Sequence, residues 1–333
     1  MSAADGRPGW KGATVLALKV LLSVALMTFL FARVPAASVG RSLRHASPAW
    51  LGAAFGLLFL SNVLGSWQWG RLLAAVGIRI PFWKVCSYYH VGLFFNNFLP
   101  ANIGGDIARV VDVTRYNTTT ATAFSTVLMD RLIGTLALAS LALCTTLPAI
   151  DRFHLGLAYA ALIGFFSLSL ALVWAVFHPG LLPLLERVLA RVGLGGMKPH
   201  LDDLATRLEG FRDQRGLMLR VTSVALVVQV SRILVHVLVA RALGLTIPLA
   251  YFFLFVPLLA VIVSLPISLN GIGLREGAGI VLFGLVGLGR APAFALQFTT
   301  YLVAVAVSLL GGLIFLIRIP HRRAVARQTR RTN

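Results

Sequence analysis

The stretch Ala293–Ile317, with the sequence AFALQFTTYLVAVAVSLLGGLIFLI, contains no Asp, Glu, Lys or Arg over 25 residues. A helix of roughly 20 apolar residues is long enough to cross the roughly 30 Å of hydrocarbon in a bilayer. In lipid the backbone N–H and C=O groups find no water to bond, so a crossing segment satisfies them internally as a helix. The stretch therefore predicts a transmembrane helix.

Similar apolar runs occur along the rest of the chain, in which 58% of the 333 residues are hydrophobic and only 12% are charged. A soluble protein of this size would need a much more polar surface. We predict an all-α integral membrane protein that forms a single transmembrane domain over residues 1–333. Its six full spans are placed at Ala13–Phe31, Trp50–Trp67, Leu128–Ile150, Phe153–Phe177, Val221–Ala240 and Ala293–Ile317. Because Lys19 lies inside the first run, we interpret that run as a retained span and not as a cleaved signal peptide.

Two further apolar regions are interrupted by residues that break helices. Phe82–Tyr116 contains Leu99-Pro100, and Leu249–Leu288 contains Pro257, Pro266 and several glycines. Proline removes a helix hydrogen bond, and glycine loosens the backbone. At membrane depth such breaks persist only where protein or a water-filled cavity covers them. We therefore predict that each region is a re-entrant pair of half-helices.

The two interrupted regions match each other in sequence. The pattern Leu-Pro-x4-Gly-x3-Arg ends at Arg109 in the first and at Arg275 in the second, and Gly-x-x-Ile-Pro precedes both at nearly the same distance. Three predicted spans, an odd number, separate the copies, so we predict an inverted repeat with units 48–150 and 217–318. In secondary transporters such repeats place the broken helices around the substrate. A duplicated scaffold whose second copy binds nothing is the alternative.

The first break contains polar residues that suit a phosphate. Gly104 and Gly105 allow a sharp turn that exposes backbone N–H groups, and Asp106 can cap the helix that follows. Arg109 lies one turn further on, and a helix N-terminus beside an arginine favours phosphate. With Asn97, these four residues are candidate substrate-binding residues. The alternative is that the charges only mark the return of the chain to the cytoplasmic surface.

The second break places two charged residues in an otherwise apolar region of the chain. Its candidate substrate-binding residues are Asn270, Gly271, Gly273, Arg275 and Glu276. Ionisable groups at membrane depth are costly and usually face a cavity or each other. We expect Arg275 or Arg232 to hold Glu276 ionised. The alternative is a self-contained Arg275–Glu276 pair that only fixes the turn.

Arg232 and His236 lie four residues apart inside the predicted span Val221–Ala240, so they share one helical face. Arg232 could supply a second phosphate contact or a counter-ion for Glu276. The alternative for both residues is packing and snorkelling. We interpret the dipeptide Asp130-Arg131 as an interfacial ion pair at the start of its span.

The net charge of +19 is interpreted as membrane topology. Lys and Arg are concentrated in Pro179–Gly216, after the second span and at the C-terminus, and basic loops stay in the cytoplasm. We therefore predict that both termini and Pro179–Gly216 are cytoplasmic, although Arg33, Arg41 and Arg44 then lie outside. Nucleic-acid binding is excluded, because the chain has neither a zinc knuckle nor a basic stripe interleaved with exposed aromatics.

The segment 179–216 also has helical periodicity. Its apolar positions Leu201, Leu204, Leu208 and Phe211 form one stripe, typical of a surface helix that lies on the membrane or on the bundle. The alternative is a helix that docks a partner. The basic tail 319–333 is expected to be attracted to anionic headgroups.

No signature of catalysis or of cofactor binding occurs in the sequence. The seven histidines lack metal-ligand spacing, and the glycines near Gly271 do not follow a strand, as a dinucleotide-binding loop would. We therefore expect no catalytic residue, no metal and no cofactor, and we predict that the chain is not an enzyme.

The two breaks resemble the signatures of the flippase-like family named after the transmembrane region of lysylphosphatidylglycerol synthase. The first signature is met by Asn96 or Asn97, Leu99, Pro100, Gly105, Asp106 and Arg109, and the second by Pro266, Gly271, Gly273, Arg275 and Glu276. The resemblance covers about Ala13–Ile317. It implies movement of a phospholipid or polyprenyl-linked lipid between leaflets. Lysylation is not implied, because the synthases carry a large soluble domain that this chain lacks after its last span.

The resemblance and the breaks together favour translocation of a phosphate-bearing lipid in the cell inner membrane. Transport of a small soluble anion and a non-catalytic role beside an envelope-lipid or polysaccharide enzyme remain alternatives. A hydrophilic vestibule too narrow for acyl chains would indicate the soluble anion. A tightly packed interior with an exposed apolar groove would indicate the partner subunit.

Overall fold

The computed structural model describes residues 42–98, 104–116, 118–153, 156–177, 211, 214–264 and 271–329, together with positions 21, 28 and 40. These residues form helices and connecting turns, and no strand occurs among them. The helices are α1 (Pro48–Ala75), α2 (Phe82–Phe98), α3 (Gly104–Val113), α4 (Thr120–Thr146), α5 (Ile150–Phe153), α6 (Gly156–Phe177), α7 (Arg215–Ala242), α8 (Leu249–Ser264), α9 (Leu274–Gly284) and α10 (Arg290–Thr329). A 3-10 turn, Leu147–Ala149, joins α4 to α5.

Five of these helices are long and apolar enough to cross a membrane, which confirms an all-α integral membrane protein. The candidate spans are Pro48–Ala75, Thr120–Ala149, Gly156–Trp174, Arg215–Ala242 and Arg290–Arg318. They correspond to five of the six predicted spans. The sixth, Ala13–Phe31, lies outside the described residues except for positions 21 and 28, as does most of 179–216. Phe211 of that segment is described, and it is fully buried in a cluster with residues of α1, α4 and α7.

Helix α4 begins eight residues before its predicted start at Leu128. The cause is Thr119, whose Oγ1 accepts a hydrogen bond from the backbone N–H of Thr122 at 3.2 Å and so caps the helix. The dipeptide Asp130-Arg131 consequently lies three turns inside α4. The prediction that it forms an interfacial pair at the start of a span is therefore wrong.

Each interrupted region contains two helices that are too short to be full spans. Helices α2 and α3 have 17 and 10 residues, and α8 and α9 have 16 and 11. The break residues 99–103 and 265–270 lie outside the described residues. Helices α2 and α3 cross so closely that a Cβ on Gly105 would collide with the carbonyl oxygen of Gly92. Glycine at both positions is what allows the two short helices to lie side by side.

Helices α7–α10 follow the same order of lengths as helices α1–α4. Helices α1 and α7 both have 28 residues, and their bounds differ by the same 167 positions. Gly77 and Gly244 follow them, with φ angles of 82° and 69°. Two short helices and one long helix come next in both halves. The long helices start with the matching sequences Ala121–Phe124 and Ala291–Phe294, 170 positions apart.

Helices α1 and α7 pack against each other in opposite directions. The backbone N–H of Ser47, before α1, donates to the carbonyl oxygen of Ala242, at the end of α7, at 2.8 Å. The side chain of Gln214, before α7, donates to the carbonyl oxygen of Ala75, at the end of α1, at 3.2 Å. Ser47 and Gln214 are 167 positions apart, as are Ala75 and Ala242. Equivalent residues therefore join the two helices at both ends.

Equivalent residues also meet in the middle of this helix pair. Ser61 Oγ donates to the carbonyl oxygen of Val228 at 3.5 Å, and these positions are again 167 apart. The contacts between other helices show the same correspondence. Helix α2 packs on α10, and α8, the counterpart of α2, packs on α4, the counterpart of α10. Equivalent helices thus take equivalent places in the bundle.

Candidate functional site

A cavity of about 530 Å³ lies between the two halves of the bundle. Described residues from both interrupted regions and from α1, α4, α7 and α10 line it. Its charged lining consists of Arg109, Asp130, Arg131, Arg232 and Arg275. Arg109 and Arg275 therefore line the same space, and Arg109 is only 5% exposed.

Arg109 is neutralised where it borders the cavity. Its Nη2 donates to Asp130 Oδ2 at 2.8 Å, and the other Asp130 oxygen accepts from Gln68 Nε2 at 2.9 Å. The guanidinium lies 4.1 Å from the ring centre of Trp69 and 4.8 Å from that of Tyr89. Stacking and the ion pair together compensate a charge that is withdrawn from water.

A second ion pair completes this cluster. Arg131 Nε and Nη2 each donate to Asp106 at 3.1 Å, so the planar guanidinium holds both carboxylate oxygens. Arg109 Nη1 lies 3.8 Å from the same carboxylate. Two arginines and two aspartates therefore form a network without net charge in the first repeat unit.

The corresponding part of the second half is arranged differently. Asp130 corresponds to Thr300 at the offset of 170 that relates α4 to α10. Arg275 lies 4.7 Å above the ring of Tyr301, and Arg232 Nη1 donates to Gln229 Oε1 at 3.4 Å. Among the described residues, no carboxylate forms a salt bridge with Arg232. Arg232 therefore brings a positive charge to the cavity that no described carboxylate pairs with.

The hydrogen bond that Glu276 makes is with the start of its own helix and not with Arg232, while its charge attracts the neighbouring Arg275. That an arginine holds Glu276 ionised therefore stays a prediction. The side chain is fully buried, and its Oε2 accepts a hydrogen bond from the backbone N–H of Gly273 at 2.7 Å. Glu276 thus caps α9, where the unpaired N–H groups and the partial positive charge of the helix end favour a carboxylate. Glu276 is not among the residues that line the cavity.

The predicted glycines mainly shape the backbone. The N–H of Gly105 donates to Asn96 Oδ1 at 2.9 Å, and Gly104 begins α3. Gly271 and Gly273 have φ angles of 73° and 79°, which side chains other than glycine rarely adopt. A Cβ on Gly271 would also lie 2.5 Å from Val263. These glycines set the helix starts.

Three further candidates complete the predicted set. Asn97 and His236 line the cavity, and His236 Nδ1 lies within 2.9 Å of the carbonyl oxygen of Arg232. Asn270 lies outside the described residues.

Several cavity residues near the arginines were not among the predicted site residues. Beside Asp130 and Arg131, these are Gln68, Tyr89, Gln229 and Tyr301. The repeat contains a signal that could have found some of them. Arg131 corresponds to Tyr301 at an offset of 170, and Asn62 to Gln229 at an offset of 167. Extending the repeat from the breaks into the long helices would have placed these positions opposite each other.

A separate cluster ties α3 to α10 away from the cavity. Arg318 Nη1 donates to Asp112 Oδ2 at 3.1 Å, and its guanidinium lies 4.4 Å above the ring of Tyr88. Arg115 lies 3.7 Å from the same carboxylate. The cluster fixes the end of the last transmembrane span.

Comparison with known proteins gives one match. Residues 16–312 match the family model described as the lysylphosphatidylglycerol synthase TM region. No curated protein and no solved structure matches the chain. The matched stretch contains both breaks and every residue that lines the cavity.

Proposed function

Because the chain belongs to the family of the lysylphosphatidylglycerol synthase transmembrane region, we propose that it binds a phosphate-bearing lipid by its headgroup and moves that lipid between leaflets. Its role would be transport and not catalysis. The observation that carries the proposal is the cavity, which borders both interrupted regions and has four arginines but one aspartate in its described lining.

The charge of the cavity supports an anionic ligand. Isolated charges at membrane depth are costly, and their presence usually marks a ligand or ion pathway. In the first unit the arginines are balanced by aspartates, whereas Arg232 faces the cavity without an ion pair to a carboxylate among the described residues. A phosphate in the cavity would supply a negative charge to Arg232 and would lie in the same space that Arg275 lines.

The lining of the cavity favours a lipid over a small soluble anion. Aliphatic side chains such as Leu58, Leu138 and Val256 lie beside the polar ones. A soluble anion would need a path that is polar throughout, whereas a lipid brings its own apolar part. The volume is in the range of small-molecule sites, so it suits a headgroup with the first carbons of its tails. An interior with a cavity also fits a transporter better than a packed partner subunit.

The contacts between α1 and α7 support an inverted repeat in the membrane. The helices run in opposite directions and meet at equivalent residues, as expected for a two-fold axis in the membrane plane. The two pairs of short helices would then be re-entrant from opposite sides. Both termini would be cytoplasmic, and the chain would reside in the cell inner membrane.

Reconstitution tests the proposed function. The chain would be placed in liposomes with fluorescent phosphatidylglycerol or with fluorescent diacylglycerol, which lacks phosphate, and dithionite would report the label reaching the outer leaflet. We expect faster exposure of phosphatidylglycerol only. Arg232→Gln should abolish the effect, and Arg290→Gln, at the exposed start of α10, should keep it.

Two results would contradict the proposal. One is equal exposure of both lipids, which would indicate a non-selective perturbation of the bilayer. The other is uptake of glycerol phosphate into sealed liposomes without lipid movement, which would favour the soluble anion.

A further inference from the structure

One end of the bundle carries a cluster of basic and aromatic side chains that is separate from the cavity. The span in α1 ends there at Ala75, α2 begins at Phe82, α3 ends at Val113, and the span in α10 ends at Arg318. Because transmembrane helices end at the membrane surface, this end of the bundle lies at headgroup level. The interfacial cluster consists of Trp83, Lys84, Tyr88, Arg115, Tyr116 and Arg318, and none of these is among the described residues that line the cavity.

Cation–π contacts join the interfacial cluster. Lys84 Nζ lies 5.3 Å from the ring centre of Trp83 and 5.8 Å from that of Tyr116. The guanidinium of Arg318 faces the ring of Tyr88, and the hydroxyl groups of Tyr88 and Tyr116 are 3.0 Å apart. The aromatic rings therefore bring cations from α2 and α10 to one place on the surface.

Two of the three cations are accessible from outside the bundle. Asp112 is buried and accepts a hydrogen bond from Arg318 at 3.1 Å, which ties that arginine to α3. Arg115 lies 3.7 Å from the same carboxylate, but 44% of its side chain is exposed. Lys84 is partly exposed, and an ammonium group has three donors, so contacts with two ring faces leave a donor for an anion.

Exposed apolar side chains accompany these cations. Phe82 and Trp83, in the first turn of α2, are 47% and 69% exposed. Val111, one turn before Arg115, and Ile317 are 51% and 65% exposed, and both lie towards the middle of the membrane from the cations. An anion bound at the interfacial cluster would therefore lie directly beside apolar surface.

We propose that the interfacial cluster binds the phosphate of an anionic membrane lipid, at a site separate from the cavity. The phosphate contacts Lys84 and Arg115, and the acyl chains lie along the apolar surface of α3 and α10. An anionic lipid matches both features, because it has a phosphate at headgroup level and hydrocarbon below it. An acidic protein segment would match the charges only.

The opposite end of the bundle offers a matched control. Arg241, at the end of α7, lies 5.3 Å from the ring centre of Trp50, at the start of α1. Arg290 begins α10 at the same end. These residues also combine cations with an aromatic ring, but they belong to the other membrane surface. Their replacement should leave a lipid at the interfacial cluster unaffected.

Native mass spectrometry of the purified full chain tests the proposal, with phosphatidylglycerol and zwitterionic phosphatidylcholine as probes. We expect phosphatidylglycerol to stay bound under conditions that remove phosphatidylcholine. The cluster variant, Lys84→Gln/Arg115→Gln, should bind phosphatidylglycerol at least about tenfold more weakly, because each cation near a membrane surface contributes roughly fivefold. The opposite-end variant, Arg241→Gln/Arg290→Gln, should keep the native affinity. Equal losses in the two variants would overturn the proposal.

Photocrosslinking separates this site from the cavity. Phosphatidylglycerol with a diazirine in one acyl chain should label peptides from the end of α3 and from the end of the span in α10. The label should persist in Arg232→Gln, the variant expected to weaken binding in the cavity. If the proposed transport fails, this labelling should remain. Its absence from both peptides in the native chain would overturn the surface site.

Thermal unfolding in detergent controls for folding. Arg318 stays unchanged in every variant, because its bond to Asp112 joins α10 to α3. Without anionic lipid, the cluster variant should unfold at the temperature of the native chain. Added phosphatidylglycerol should raise the unfolding temperature of the native chain and of the opposite-end variant, but not that of the cluster variant. No rise in the native chain, or an equal rise with inorganic phosphate, would overturn a lipid as the ligand.

Discussion

Asp130 and Thr300 occupy equivalent positions in the two halves of the bundle, and only Asp130 carries a charge. Asp130 bonds Arg109 at 2.8 Å, whereas Thr300 Oγ1 donates to the carbonyl oxygen of Leu296 in its own helix. The position of Asp130 therefore has an uncharged counterpart in the second half. Arg109 is held by an ion pair within the bundle, which gives it a structural role, whereas a ligand role for Arg275 and Arg232 belongs to the proposed function.

Removing the counter-charge should destabilise the fold. Asp130→Asn removes the 2.8 Å partner of Arg109 and leaves only the longer 3.8 Å contact with Asp106, so the cost should approach the roughly 3–5 kcal/mol of a buried ion pair that loses one partner. Thermal unfolding followed by near-UV circular dichroism would measure it, with Asp151→Asn on exposed α5 as the control. A transition temperature equal to that of the control would contradict the pairing.

The two repeat arginines should respond differently to lysine. Arg109→Lys loses the planar contacts with Trp69 and Tyr89 and one carboxylate bond, so it should lower thermal stability. Arg275→Lys keeps the charge at the cavity but loses the guanidinium fork, so it should lower ligand affinity more than stability. Alanine at either position should cost more. Parallel measurements of unfolding and lipid binding would check the division, and identical profiles for the two lysine variants would contradict it.

Glu276→Gln should act on α9 and not on ligand charge. The amide can still accept from the Gly273 N–H through its oxygen, but it loses the attraction of a carboxylate to the helix end. We expect a loss of about 1 kcal/mol in stability with an unchanged preference for phosphatidylglycerol over diacylglycerol. A shifted headgroup preference would show that Glu276 senses the ligand after all.

Cysteine accessibility would test the topology. In a background with Cys86 and Cys144 replaced by serine, single cysteines at Met197 and Val325 should react only after the membrane is permeabilised, because the basic segments stay in the cytoplasm. Labelling of either position from outside intact cells would contradict the predicted orientation.

The sequence predicts the spans well because an uncharged apolar run of more than 20 residues rarely forms anything other than a transmembrane helix. It predicts the charged pairs poorly. The pattern alone suggests that Glu276 needs an arginine, since a helix end that can neutralise a carboxylate becomes visible only in three dimensions. Similarly, the sequence pattern places Asp130 at the start of a span. In the structure α4 begins ten residues earlier, where Thr119 caps it.

The repeat can be recognised in the sequence at the breaks, where both copies contain Leu-Pro followed by glycine. It is harder to recognise in the long helices. There the side chains have diverged: Gly65 corresponds to Arg232, and Trp69 to His236. Physical complementarity explains one of these changes. A Cβ on Gly65 would lie 2.7 Å from the hydroxyl oxygen of Tyr89, so an arginine at that position would have to displace the Tyr89 side chain.

The bond between Ser61 and Val228 has a mechanical consequence. It lies midway along the antiparallel helices α1 and α7, while the bonds of Ser47 and of Gln214 lie at the two ends. A rotation of one half against the other about this midpoint would stretch one end bond and spare the other. The midpoint would then be the pivot of the rotation, and each end hydrogen bond would limit the rotation in one direction.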